Sequence, residues 1–213
     1  MFDAFFVRRL KSPLAFAAKS LDAMGIRATQ VTLIGAVIGL AAAILIAADA
    51  LLLGGLLFLM NRLFDGLDGA LARQQGPTEQ GAFLDITLDF LIYSAIPLAF
   101  AVRDPDVALA AAFLLFSFVG TGSTFLAFSI FATRHGLKNE SLKEKSIYYL
   151  QGLTEGFETT LVLTLMCLFP GWFEWLAWGF GALCLMTTGS RIVEGNRVLR
   201  GISTPEPDRL SET

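Results

Sequence analysis

The feature that most constrains this chain is a series of long apolar blocks, two of which, residues 31–48 and 107–133, contain no charged residue at all. A helix needs about 20 residues to cross the hydrocarbon of a bilayer, and it crosses as a helix because its backbone polar groups must be bonded internally. The blocks lack the polar interruptions of helices with one solvated face. Composition agrees: 54% of the 213 residues are hydrophobic and 16% are charged, against about a quarter charged in soluble domains. Those figures exclude disorder, a collagen-like repeat and a small disulfide-stapled module. The two cysteines, Cys167 and Cys184, each sit within an apolar block and read as small buried hydrophobes.

The pattern predicts an all-α, polytopic membrane protein with six transmembrane helices, over 31–48, 50–72, 82–102, 107–133, 146–168 and 172–193. It is preceded by an amphipathic helix at the membrane interface. Within that arm, residues 1–28, Phe2, Phe5, Phe6 and Leu10 recur at helical spacing while Arg8, Arg9 and Lys11 face elsewhere. Ser12-Pro13 predicts the start of a second short helix, with Leu14, Ala17, Ala18 and Leu21 on one face and Gly25 at its end. A soluble helix packed on a loop is the alternative. Pro13, Lys19 and Asp22 interrupt the run that a cleaved secretory signal needs, so none is expected. The expected division is the arm at 1–28, a catalytic membrane domain at 29–195, and a flexible cytoplasmic tail at 196–213.

Of the 16 Lys and Arg residues, only Arg103 falls on the opposite side of this six-span layout from all the others. Basic residues mark the cytoplasmic side. Both termini and the even-numbered connections are therefore expected in the cytoplasm.

Acidic residues gather at the cytoplasmic ends of the second and third spans. Asp65 and Asp68 are three apart on one helix, Asp85 and Asp89 four apart on the next, and both spacings place a pair on one face. The short connection between them contains Gly76-Pro77, a turn that makes the two helices antiparallel neighbours. Four carboxylates can thus converge on one cavity, where they are costly unless paired or bound to cations. A set of oxygen donors without His or Cys selects hard divalent ions such as Mg²⁺, Mn²⁺ or Ca²⁺, and four negative charges balance two of them. Arg73 is left to attract an anionic substrate, and Gly69 and Gly81 permit close backbone approach by a ligand. Spacing alone thus points to a phosphate site dependent on divalent metal and facing the cytosol.

The string also resembles the signature of the CDP-alcohol phosphotransferase (CDP-alcohol phosphatidyltransferase) family, D-x2-D-G-x2-A-R followed by G-x3-D-x3-D. All eight positions are present, as Asp65, Asp68, Gly69, Ala72, Arg73, Gly81, Asp85 and Asp89. More closely, the chain is similar to a short bacterial inner-membrane branch of that family. The resemblance implies transfer of a substituted phosphate from a CDP-alcohol, foremost CDP-diacylglycerol, to a hydroxyl acceptor, with release of CMP in phospholipid biosynthesis. It implies two divalent ions, Mg²⁺ or Mn²⁺, with Asp65, Asp68 and Asp85 on one and Asp89 helping to hold the second. Asp89 is then also the general base, and Gly69, Ala72, Arg73, Gly81 and Thr32 bind the nucleotide. A CDP-alcohol lipid, a small alcohol, membrane lipids and a second copy of the chain are the implied partners, and nucleic acid is not. An inner-membrane location with the site on the cytoplasmic face follows. The family often has Thr-Pro-Asn-x-x-Thr entering the first span. Here the segment 27–32 ends in Thr32 but lacks the Pro and Asn.

For the acceptor pocket the candidates are Glu155, Glu158 and Arg134. The two glutamates equally suit ion pairs with Arg62, Arg134 or Arg191. Carboxylates at that pocket favour a neutral polyol or a cationic amino-alcohol over a phosphorylated acceptor, whereas the basic stretch from Arg134 to Lys145 favours an anionic one or simply sets topology. Asn61, one turn before Asp65, either orients it or packs helices together. His135 is expected to be solvated, and Trp172, Trp175 and Trp178 to form an interfacial belt. Phe113, Phe116 and Phe118 are expected to face lipid or pack. Two other functions fit some of these features: transfer from CDP-choline or CDP-ethanolamine to diacylglycerol, and divalent-cation transport through the same carboxylates.

Overall fold

The computed structural model describes residues 3–135 and 154–203, and within them the side chains of 13–135 and 154–201. The described residues are helical with short connections and no strand. α1 is Asp3–Ala23, α2 Ala28–Ala47, α3 Leu51–Gln75 and α4 Glu79–Arg103. α5 is Ala108–Arg134, α6 Gly156–Leu168 and α7 Phe173–Ser203, with 3₁₀ turns at Pro105–Val107 and Pro170–Trp172.

The arm is one continuous helix rather than two, since Pro13 lies inside α1. Proline removes only one backbone donor, so the ladder resumes around it, and Ser12 starts no new helix. Gly25, at φ +75°, closes α1 as expected. The Ile26 N–H donates to the Leu21 carbonyl at 3.1 Å and the Gly25 N–H to that of Asp22 at 2.9 Å, the paired bonds of a Schellman close. Leu14, Ala18 and Leu21 pack with Phe64, Leu67, Ala70 and Leu71 of α3. The apolar face anticipated for the arm therefore docks on α3. Gln75 fixes the joint: its Nε2 donates to Asp22 and to the Ile26 carbonyl, and its Oε1 accepts from the Ala28 N–H.

α2 packs on α3 and α4, α4 on α5, α5 on α7, and α6 on α3. The main core runs through Ile46, Phe58, Ile96, Phe100, Leu163 and Phe173, with the Phe100 and Phe173 rings stacked at 4.4 Å. The outer surface exposes many large apolar side chains, as at Val37, Ile44, Phe116 and Val119. Such a surface needs a hydrocarbon solvent.

Among the described residues, four helical stretches are long and apolar enough to cross a membrane: Ala28–Ala47, Glu79–Arg103, Pro105–Arg134 and Pro170–Gly201. The other two expected spans differ for separate reasons. α3 has the length, but carries the charged Arg62, Asp65, Asp68 and Arg73 from its middle onward. The described part of the fifth, Gly156–Leu168, is 13 residues long, and the expected 146–153 lies outside the described residues. α7 continues past the expected end near 193 to Ser203, so 196–203 is helix, and the rest of the anticipated tail lies outside the described residues. Trp172, Trp175 and Trp178 are exposed, and the Trp178 ring lies tilted against Phe113 with centroids 4.5 Å apart. Phe116 is exposed, Phe118 is buried in the core and His135 is exposed.

Candidate active site

The last turns of α3 and the first of α4 bring three of the four predicted carboxylates together. Oxygens of Asp65, Asp68 and Asp85 all lie within 4.8 Å of one another. Asp68 is 4% exposed, and its buried Oδ2 has no hydrogen-bond partner among the described residues. An orphaned buried acceptor is costly, and a cation relieves it. Oxygen donors alone, close together, with one lacking a proton donor, fit a hard divalent ion.

Asp89, a turn further along α4, is engaged differently. Its Oδ1 accepts from Arg62 Nη2 at 2.8 Å, and the same guanidinium lies 3.9 Å from Asp65. Asn61 Oδ1 accepts from Arg62 Nε and Nη2 at 2.9 and 2.6 Å, and its own amide donates to the Gly35 carbonyl at 2.8 Å. Arg62 also lies 4.5 Å from the centre of the Tyr93 ring. Asn61 therefore packs helices and orients Arg62. Small residues on α2 make room for this: a Cβ on Gly39 would come within 2.9 Å of Ile92 and 3.0 Å of Asn61.

Two larger cavities flank the cluster. One, of about 690 Å³, is lined by every nucleotide-binding candidate, Thr32, Gly69, Ala72, Arg73 and Gly81, together with Asp68 and Asp85. Arg73 folds back so that a Cβ on Gly69 would meet its Nη1 at 3.4 Å. Gly81 donates its N–H to Thr78 Oγ1, the N-cap of α4, at 3.1 Å, and a Cβ there would press on that oxygen. The other cavity, of about 330 Å³, reaches Asp85 and Asp89 from the α4, α5, α6 and α7 side. Of the acceptor candidates, Glu155 lines it. Glu158 instead turns back to accept from the Glu155 N–H at 3.2 Å, and Arg134 lies exposed at the end of α5 outside both cavities. The cation on this wall is Arg191, whose Nη1 donates to the Thr121 carbonyl at 3.1 Å. Sequence reasoning named Arg62 and Arg191 only as ion-pair partners for the two glutamates; Arg191 shares the wall of the smaller cavity with Glu155, whereas the bond from Arg62 to Asp89 was missed. Arg62 carried a signal, since it stands one helical turn before Asp65.

Long apolar helices around a cluster of three carboxylates, with a cavity on either side, define a helical membrane protein. Residues 26–183 match the CDP-alcohol phosphatidyltransferase family, and the chain belongs to it. It is 47% identical over 203 residues to inner membrane protein YnjF of Escherichia coli strain K12, covering 95% of this chain and 98% of that protein. Archaetidylinositol phosphate synthase of Pyrococcus horikoshii is 37% identical over 89 residues, 41% of this chain and 47% of that protein. The fold is shared with phosphatidylinositol phosphate synthase of Mycobacterium tuberculosis. With CDP-DAG bound, that structure gives a TM-score of 0.67 at 22% identity over 93% of this chain and 98% of that one. With manganese and citrate it gives 0.66 at 23% identity over 93% of both.

Proposed function

We propose that this chain transfers the phosphatidyl group of CDP-diacylglycerol to a small alcohol and releases CMP. The observation that carries the reading is the junction of the two cavities at Asp85, beside Asp65 and Asp68. The larger cavity takes the cytidine nucleotide, where Arg73 neutralises the diphosphate and Gly69 and Gly81 leave room for it. The acceptor enters through the smaller cavity. Its hydroxyl oxygen forms a bond to the lipid-side phosphorus as the bond from that phosphorus to the CMP oxygen breaks. Asp89 receives the hydroxyl proton. Asp65, Asp68 and Asp85 hold a divalent ion, Mg²⁺ or Mn²⁺, which when bound offsets charge on the diphosphate. The basic residues, placed as described above, support a site at the inner face of the cytoplasmic membrane with both termini on that side. A homodimer goes with the reading.

The acceptor cavity favours an alcohol without phosphate. Thr121 and Thr159 already donate their hydroxyl protons to backbone carbonyls, and Thr154 donates to Thr187. With Glu155, Asp85 and Asp89 set against Arg191 as the cation, carboxylates outnumber the guanidinium on this wall, and it suits a ligand that brings O–H or N–H donors. The test is CMP release by purified protein with labelled CDP-diacylglycerol, Mg²⁺ or Mn²⁺, and paired alcohols with and without a phosphate. Glycerol and inositol should outrun their phosphorylated forms. Release of CMP only from CDP-choline or CDP-ethanolamine with diacylglycerol would reverse the donor assignment, and manganese flux without nucleotide would replace the reaction by transport.

A further inference from the structure

We infer that Arg62 is a positioning residue for Asp89. It holds one oxygen of that carboxylate from within the helix bundle and leaves the group presented to the acceptor cavity.

Asp89 stands between two spaces. One is a narrow cleft of about 10 Å³ that it shares with Arg62, Asn61, Asp65 and Asp68. The other is the 330 Å³ cavity, whose wall includes Asp89 but not Arg62. On the cleft side Asp89 Oδ1 accepts from Arg62 Nη2 at 2.8 Å. The Asp89 side chain is nonetheless 32% exposed, against 9% for Arg62, so it stays open to a ligand on the side away from the guanidinium. The guanidinium itself is fixed. Asn61 Oδ1 accepts from its Nε and Nη2, and its Cζ lies 4.5 Å from the centre of the Tyr93 ring. Asn61 in turn donates to the Gly35 carbonyl at 2.8 Å, and its Cγ lies 3.0 Å from where a Cβ on Gly39 would stand. A chain of contacts thus runs from the backbone of α2 through Asn61 and Arg62 to Asp89. A part-exposed carboxylate otherwise has several staggered conformations, and a charge-assisted bond from a fixed donor selects one of them. Arg62 lines neither large cavity, so it acts through Asp89 rather than on either substrate.

The inference rests on the proposed reaction with Asp89 as proton acceptor, and CMP release by the unaltered protein checks that reading first. The assay uses full-length protein in detergent with CDP-diacylglycerol, Mn²⁺ and the alcohol of the panel that releases most CMP. Arg62→Gln should lower kcat about 10–100-fold, the scale of a misplaced reacting group. The KM for CDP-diacylglycerol should stay within about twofold, since the donor cavity is untouched. In the Asp89→Asn background the same substitution should cost less than about twofold, because nothing remains for Arg62 to position. A merely structural role would instead give the same loss in both backgrounds. Should Arg62→Gln not fold, Arg62→Lys serves in both backgrounds. It keeps the charge but lacks the fork that reaches Asn61 and Asp89 together, and should lower kcat about threefold or more only where Asp89 is intact. An unchanged kcat, or an equal loss with and without Asp89, would overturn the inference alone. No CMP from the unaltered protein with any alcohol would overturn the proposed reaction and the inference with it.

Discussion

Asp68 shows how a single side chain announces a ligand. Its carboxylate is nearly sealed from solvent, yet one oxygen has nothing to accept from among the described residues. A bound ion at a hundredfold excess over its Kd adds about 2.7 kcal/mol to the folded state. Thermal unfolding in detergent should therefore shift upward with Mn²⁺ relative to EDTA, and Asp68→Asn should remove most of that shift. Asp89→Asn should lower CMP formation by about 10²–10⁴-fold while the protein stays monodisperse; unaltered turnover would end its assignment as base. Residue spacing alone disclosed the four aspartates, because i, i+3 and i, i+4 positions share a helix face. It did not disclose that Asp89 is held by Arg62, since an arginine near a cytoplasmic connection looks the same whether it sets topology or neutralises a carboxylate. Nor could spacing choose among Glu155, Glu158 and Arg134: only the turn of α6 shows one glutamate facing the cavity and the other capping a helix.

At the scale of elements, close approach of α2 to α3 and α4 is what seats Asn61 and, through it, Arg62. Gly39→Val should cost about 1–3 kcal/mol through overpacking against Ile92 and Asn61. The readout is the thermal midpoint in detergent, set against Gly171→Val, where a Cβ meets nothing within 4 Å. The apolar blocks made α2, α4, α5 and α7 legible, because length and uninterrupted hydrophobicity are what a bilayer demands. They hid which glycines matter, since a helix apolar on every side carries no periodic mark of its packing face. The arm was legible as a helix with one apolar face, and Gly25 as its end. Its single unbroken course was not, because Ser-Pro reads locally as a new start whether or not the preceding turn carries through. The junction at Gln75, tied to Asp22, Ile26 and Ala28, depends on residues about 50 positions away, which no local pattern records.

Across the whole molecule, charge is divided between the two ends. The aspartate cluster lies at one, and Arg103 pairs with Asp49 at the other, where α2 turns into α3. Single cysteines introduced at Glu79 and at Asp106 should react with a membrane-impermeant maleimide from opposite sides of sealed vesicles, Glu79→Cys from the cytoplasmic side. Cys167 and Cys184 are 3% and 2% exposed and should leave the background low. Labelling of both positions from one side would refute the orientation read from the arginines and lysines.

Asp85 belongs to the wall of both large cavities, whereas the remaining lining of each is its own. Selection can therefore reshape the chamber around Glu155 and Arg191 without disturbing the one around Arg73. Under the proposed reaction, lineages built on this scaffold are free to diversify the lipids they make while drawing on one unchanging activated precursor.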